Sequence, residues 1–233
     1  MYTLTGVSKT FRGRGRTRGS GVTAVQNLNL SIADGEWLAI QGRTGSGKST
    51  LLQLLGGMDR PSTGTVDLDG RDLAAMSEAQ LTEVRATRVG FVFQMFNLIP
   101  TLSAIENVEA ALVPLRTPAV QRRKRSAEAL AAVGLADRAG HLPSELSGGQ
   151  QQRVGIARAL VKEPSVLLAD EPTGNLDVDT RDEILSLLEQ IWTANQLTLV
   201  LVTHDSAVAA LAERVAVMHD GELSFDATDT RIG

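Results

Sequence analysis

Gly42-Arg43-Thr44-Gly45-Ser46-Gly47-Lys48-Ser49-Thr50 stands between an apolar run, Trp37-Leu38-Ala39-Ile40, and a leucine-rich segment, Leu51-Leu52-Gln53-Leu54-Leu55. The run reads as a buried strand and the segment as a helix, so the order is strand, glycine-rich loop, helix. In that order the loop's backbone N–H groups and the helix N-terminus converge on an anion. Glycines let the backbone curl close around it. Lys48 is placed to reach the β- and γ-phosphates and the Ser49 hydroxyl to ligate Mg²⁺. Gly42, Gly45, Ser46, Gly47, Lys48, Ser49 and Thr50 are therefore candidate contacts to a nucleoside triphosphate.

Working outward toward the N-terminus, Tyr2, Leu4 and Val7 alternate as in a strand, and Val25, Leu28, Leu30 and Ile32 mark a second one. Asp34-Gly35 turns the chain into the loop strand, and residues 65–68 before Asp69-Gly70 make another strand and turn. Antiparallel β structure is expected around the loop. Residues 12–21 alternate arginine with glycine, serine and threonine, too few apolar groups to build a core, and are expected to form a mobile, solvated hairpin loop, with RNA binding by the arginines as the alternative.

Toward the C-terminus, residues 77–85 read as a short helix opened by a Ser77/Gln80 capping box. Residues 89–93 form a buried strand ending at Gln94. Residues 95–163 are expected to be mostly helical, with helical periodicity over 104–112 and 122–133. The basic cluster 121–125 at a helix start reads as a solvated face, with contact to acidic lipid headgroups as the alternative. The last third alternates strands (165–169, 197–202) with helices (180–192, 207–212) and closes on a hairpin through His219-Asp220-Gly221-Glu222.

The chain has 233 residues, enough for one large domain or a domain with a subdomain, and its 42% hydrophobic and 21% charged content is ordinary for a soluble globular protein. A net charge of −4 argues against a free-standing nucleic-acid binder. The absence of cysteine excludes disulfides and thiolate metal sites. No signal peptide and no apolar run of about 20 residues is expected, so another chain would supply any membrane span.

Two further stretches carry chemistry. Val166-Leu167-Leu168-Ala169 ends in Asp170-Glu171, which puts two carboxylates at the C-terminal end of a buried strand, where open α/β sheets bind ligands. Asp170 suits a hold on Mg²⁺, and Glu171 suits polarisation of an attacking water. Leu146-Ser147-Gly148-Gly149-Gln150 precedes a helix with Val154, Ala157, Leu160 and Val161 at helical spacing. Ser147 and Gln150 complete a capping box, and Gly148-Gly149 present bare N–H groups at the helix start. One nucleotide does not need two complete phosphate cradles in one chain, so this surface is expected to meet a triphosphate held elsewhere.

The sequence resembles the ATP-binding cassette (ABC) ATPases. The phosphate loop is similar to their Walker A motif, Leu146–Gln150 to their signature motif and Val166–Glu171 to Walker B. Gln94 sits where the family has its Q-loop glutamine. Asn175-Leu176-Asp177 looks like the D-loop, and His204 in Val202-Thr203-His204-Asp205 looks like the switch histidine. Phe11 stands where family members usually place an adenine-stacking tyrosine, and it keeps the π-face. Residues 91–102 and 170–177 look like the macrolide-exporter and lipoprotein-releasing ATPases (MacB-like and LolD-like), with FtsE a close relative.

The resemblance implies an α/β fold: a P-loop NTPase core of ABC type, an antiparallel β subdomain and an α-helical signature subdomain. The core with its β subdomain would take residues 1–94 and 165–233, and the helical subdomain 95–164. It implies a head-to-tail homodimer with two ATPs at the interface, each between Lys48, Ser49, Asp170 and Glu171 of one chain and Ser147 and Gly149 of the other. Gln94 would contact Mg²⁺, His204 would hold the γ-phosphate and orient Glu171, and Asp177 would couple the two sites. An FtsX/MacB-like integral membrane permease would hold the ATPase at the cytoplasmic face of the membrane, for export or extrusion. Phe96, Leu98 and Ile99 either form the groove for a permease helix or are buried in the helical subdomain. An FtsE-like ATPase that switches a cell-wall hydrolase without transport shares every one of these motifs.

Overall fold

The computed structural model describes residues 1–11 and 21–225. The arginine- and glycine-rich stretch lies outside the described residues except for Gly21. The chain divides into two compact units, one of residues 1–81 with the chain from 200 onward, the other of residues 82–199.

The first unit opens with β1 (Tyr2–Phe11), β2 (Val22–Ile32), β3 (Trp37–Gln41), α1 (Lys48–Leu55), β4 (Thr63–Leu68) and β5 (Arg71–Asp72). Four of these strands form an antiparallel sheet in the order β2-β1-β4-β5, with Tyr2 opposite Ile32 on one side and Leu68 on the other. Strand alternation buries Tyr2, Leu4, Val7, Val25, Leu28, Leu30 and Ile32 on one face. The Tyr2 hydroxyl donates to the Leu55 carbonyl at 2.8 Å, satisfying one of the carbonyls that the end of α1 leaves without an intrahelical partner. In β3, Trp37, Leu38, Ala39 and Ile40 are all buried, as expected of a strand covered on both faces.

α2 (Glu78–Thr87) carries the chain into the second unit. Its capping box is formed: the Ser77 N–H donates to Gln80 Oε1 at 2.9 Å and the Gln80 N–H to Ser77 Oγ at 3.3 Å. There follow β6 (Val89–Phe93), α3 (Ala104–Ala110), α4 (Ala119–Ala132), α5 (Gly148–Leu160), β7 (Val166–Asp170) and α6 (Val178–Asn195). β6 and β7 run parallel from Val89↔Val166 to Phe93↔Asp170. α3, α4 and α5 pack on one another, burying Val108, Leu130, Val154, Ile156 and Ala157.

α4 begins at Ala119, ahead of the periodic segment, because Pro118 (φ −57°) sets the helix entry while exposed Val120 adds no apolar periodicity. The basic cluster inside it is paired: Arg123 with Glu109 (3.2 Å), Arg125 with Glu163 (3.0 Å), Lys124 with Glu128 (3.9 Å), and Arg122 donates to the Thr117 carbonyl. These partners favour the solvated-face reading over a lipid contact.

β8 (Thr198–Thr203) starts in the second unit, where the Thr198 N–H donates to the Ser165 carbonyl beside β7, and returns the chain to the first. There α7 (Ser206–Ala209), β9 (Arg214–His219) and β10 (Glu222–Phe225) complete the chain of described elements. In this unit the strands run β10-β9-β3-β8, with β3 and β9 parallel (Ile40↔Ala216) and β9-β10 a hairpin turning at Asp220-Gly221, both at positive φ. α7 stops short of the span 207–212, since Leu211 is half exposed and packs no helical stripe. Among the described residues, no helix is long and apolar enough to cross a membrane.

Candidate functional site

In the first unit the phosphate loop leaves β3 and is tied to its neighbour β8: the Gly42 N–H donates to the Thr203 carbonyl at 3.1 Å. His204 follows directly, exposed at the strand end, so loop and histidine share one edge of the sheet. Gly47 is the N-cap of α1 with φ 107°, and a Cβ there would lie 2.0 Å from the Ala24 carbonyl oxygen. Only glycine meets both demands. No side chain caps α1, and an anion held in the loop would meet the backbone N–H groups of its first turn. Lys48 is buried, and its ammonium donates to the carbonyls of Gly42 (2.7 Å) and Arg43 (3.1 Å). The cation is thereby held over the loop it would share with a phosphate. A second tie, from the Gly221 N–H to the Ser46 carbonyl at 3.0 Å, fixes the loop's far side.

Phe11 ends β1 opposite Val22, two residues before the Ala24 carbonyl that packs on Gly47. The residue is 43% exposed, and Lys9 Nζ lies 5.1 Å from the ring centroid. An exposed aromatic face on the edge that carries the loop is consistent with base stacking.

In the second unit the register Phe93↔Asp170 makes Gln94 and Glu171 leave the sheet from adjacent parallel strand ends. Glu171 is left-handed (φ 45°), uncommon for a non-glycine residue and opposed by the proline after it. Its carbonyl accepts the Gly174 N–H at 3.0 Å, closing a tight turn. Gln94 is held by Asn175: Gln94 Nε2 donates to Asn175 Oδ1 (3.4 Å) and Asn175 Nδ2 to the Gln94 carbonyl (3.1 Å).

α5 opens as its sequence predicts. The Gln150 N–H donates to Ser147 Oγ (3.2 Å) and the Ser147 N–H to Gln150 Oε1 (2.9 Å). A Cβ on Gly149 would sit 2.4 Å from Thr180 Cγ2, and one on Gly148 3.3 Å from Leu176 Cδ2. The glycines therefore let the segment 175–180 run close against the start of α5. Asp177 caps α6, accepting from the Thr180 N–H (3.0 Å) and hydroxyl (2.8 Å). Those two hydrogen bonds, the backbone one first, hold its carboxyl below the usual range, so it is ionised at neutral pH.

The second unit thus brings together Gln94, Ser147–Gln150, Asp170, Glu171 and Asp177, while the first brings together Phe11, the phosphate loop and His204. Three contacts are not read from the sequence. Asn175 fixes Gln94. Arg158 of α5 donates to the carbonyls of Asn97 (2.5 Å) and Phe96 (2.8 Å), two consecutive left-handed residues, and burial lowers its pKa from the usual guanidinium value. Gln152 of α5, fully buried, donates to the Pro172 carbonyl at 2.7 Å. Backbone carbonyls as partners leave no mark in composition or periodicity. Of the segment after Gln94, Met95 and Ile99 are exposed whereas Phe96 and Leu98 are half-buried.

Comparison with known proteins gives the family. The ABC transporter family model matches residues 25–174. The ABC transporter ATP-binding protein YvrO of Bacillus subtilis (strain 168) is 44% identical over 226 residues, 97% of this chain and 96% of the relative. The macrolide export ATP-binding/permease protein MacB of Rhodopseudomonas palustris (strain HaA2) is 47% identical over 205 residues, 88% of this chain but 31% of the relative's length. The ABC transporter ATP-binding protein MJ0796 of Methanocaldococcus jannaschii is 44% identical over 227 residues, 96% of this chain and 95% of the relative. A dimeric post-hydrolysis structure of the cassette MJ0796, bound to ADP and Pi, superposes with a TM-score of 0.87 at 41% identity, covering 97% of this chain and 98% of that one. A phosphate loop, a capped signature helix and a Walker B strand in one mixed α/β chain, matched nearly end to end by such cassettes, place this protein in the ABC transporter family as an ATP-binding cassette.

Proposed function

We propose that the chain binds and hydrolyses ATP as the motor of a MacB-like export system, working as a head-to-tail homodimer. The observation that carries this reading is the presence of two anion-facing helix starts in one chain, α1 entered through the Gly42–Thr50 loop and α5 capped by Ser147. A triphosphate held by Gly42, Gly45, Ser46, Gly47, Lys48, Ser49 and Thr50 of one chain is covered by Ser147, Gly148, Gly149 and Gln150 of the other. Phe11 stacks on the adenine.

Glu171 accepts the proton of the attacking water, and His204 orients the γ-phosphate. Asp177, ionised and next to the signature glycines, couples the paired sites. Ser49, Gln94 and Asp170 offer hydroxyl, amide and carboxylate oxygens, a hard donor set suited to Mg²⁺. Among the described residues no group of three or more His, Cys, Asp or Glu could hold a metal, which fits an ion shared with substrate phosphates rather than caged by protein. The Mg²⁺ would neutralise charge on those phosphates. The dimer drives an integral membrane permease of the FtsX/MacB type at the cytoplasmic face of the membrane, by closing on ATP and opening after hydrolysis. The MacB relatives, named as export ATP-binding/permease proteins, support this partner.

A site completed by a second chain makes turnover depend on chain concentration. Specific ATPase activity at saturating ATP is expected to rise with protein concentration and then level off. A flat profile over a wide dilution range would remove the shared-site reading.

A further inference from the structure

Gln152 is 0% exposed, yet it uses only part of its hydrogen-bonding capacity. Its amide donates to the Pro172 carbonyl at 2.7 Å, while Oε1 is buried with no hydrogen-bond partner among the described residues. A buried amide in that state is a poor stabiliser, and an apolar side chain of the same length would pack there without the unsatisfied oxygen. What the amide does hold is specific. Pro172 directly follows Glu171, whose left-handed φ of 45° is unfavourable for a residue before proline. Such a conformation persists only where its surroundings over-determine it. On the chain side the Gly174 N–H closes the turn on the Glu171 carbonyl. From the helix side, the Gln152 amide pins the next carbonyl along.

Gln152 lies in the first turns of α5, the helix opened by Ser147, Gly148 and Gly149. We propose that Gln152 is a positioning residue that fixes the Glu171–Pro172 turn to the signature helix, so that the carboxylate is aimed only when that helix is in place. The proposal rests on the reading of Glu171 as the hydrolytic carboxylate. In a head-to-tail dimer it gives each chain a rigid connection: the helix start that touches the partner's nucleotide sets the carboxylate serving its own.

The test is Gln152→Met, which keeps length, shape and helix propensity but removes the donor. ATP turnover, the KM for ATP, the Kd of a fluorescent ATP analogue and the melting temperature are measured together. The expected result is a kcat lower by about 10- to 100-fold, with KM and Kd within about twofold and a melting temperature that is kept or raised. In a Glu171→Gln background the same change is expected to reduce residual turnover no further, because both act through one group. A kcat within twofold of wild type would overturn the proposal. So would a loss of kcat that tracks a lower melting temperature, or one that multiplies with Glu171→Gln. Should the Met variant not fold, Gln152→Asn, one methylene too short to reach Pro172, carries the same expectations. If Glu171→Gln by itself leaves kcat intact, the assignment of Glu171 fails independently of Gln152.

Discussion

Phe11 shows what a single residue contributes and how it can be measured. Lys9 already lies over its ring, and the remaining exposed surface is free to stack on a base. Aromatic stacking on a nucleobase contributes about 1–3 kcal/mol. Phe11→Ala is therefore expected to weaken nucleotide affinity by roughly tenfold or more while kcat at saturation changes little. An unchanged affinity in a titration with a fluorescent nucleotide would take Phe11 out of the base contact. At this scale the sequence was most informative where a residue type is chemically constrained. Lys48, Ser147 and Gln150 sit where the loop and the capping box place them. It was least informative where a side chain answers to a distant backbone carbonyl. Gln152 and Arg158 look like ordinary polar positions on a helix, and their partners lie 20 and 61–62 residues away. Asp177 reads as a functional acid, but its hydrogen bonds to Thr180 also make it the N-cap of α6.

Among the elements, α5 organises the second unit. Its N-terminus offers the Ser147-capped turn, its buried face carries Gln152, and its C-terminal half clamps Phe96 and Asn97 through Arg158. Gly149 allows the start of α6 to lie against it, and a Cβ would meet Thr180 Cγ2 at 2.4 Å. Thr180 cannot simply rotate away, because its hydroxyl is held by Asp177 at 2.8 Å. Gly149→Ala is thus an overpacking change, expected to lower stability by about 1–3 kcal/mol in urea unfolding. Adding Thr180→Ser, which deletes Cγ2 and keeps the hydroxyl, is expected to restore most of that loss. Equal destabilisation with and without the second change would show that the glycine matters for another reason. The strands were legible because buried parallel strands are continuous apolar runs and the antiparallel ones alternate. β6 falls on the span its pattern predicts, and Val25, Leu28, Leu30 and Ile32 all lie in β2. Helix ends were legible only where a capping side chain marks them. α2 and α5 start where their capping boxes stand, whereas α4 starts early at an uninformative Ala119 and α7 ends early, where no capping residue stands.

At the scale of the molecule, the residues of the proposed site divide between the two units. The first carries the phosphate loop, Phe11 and His204. The second carries Gln94, the signature turn, Asp170, Glu171 and Asp177. The membership of the chain in the ABC transporter family was legible because its motifs are short, ordered and chemically specific. On the proposed function, the phosphate loop is half a site which a second chain completes. On that reading, Glu171→Gln removes the proton acceptor and leaves the phosphate contacts in place, so bound ATP is expected to persist and the closed state to accumulate. Gel filtration of this variant with ATP is expected to show a dimer that reverts to monomer when the nucleotide is removed, and a variant that binds ATP yet elutes only as monomer would rule out the shared site.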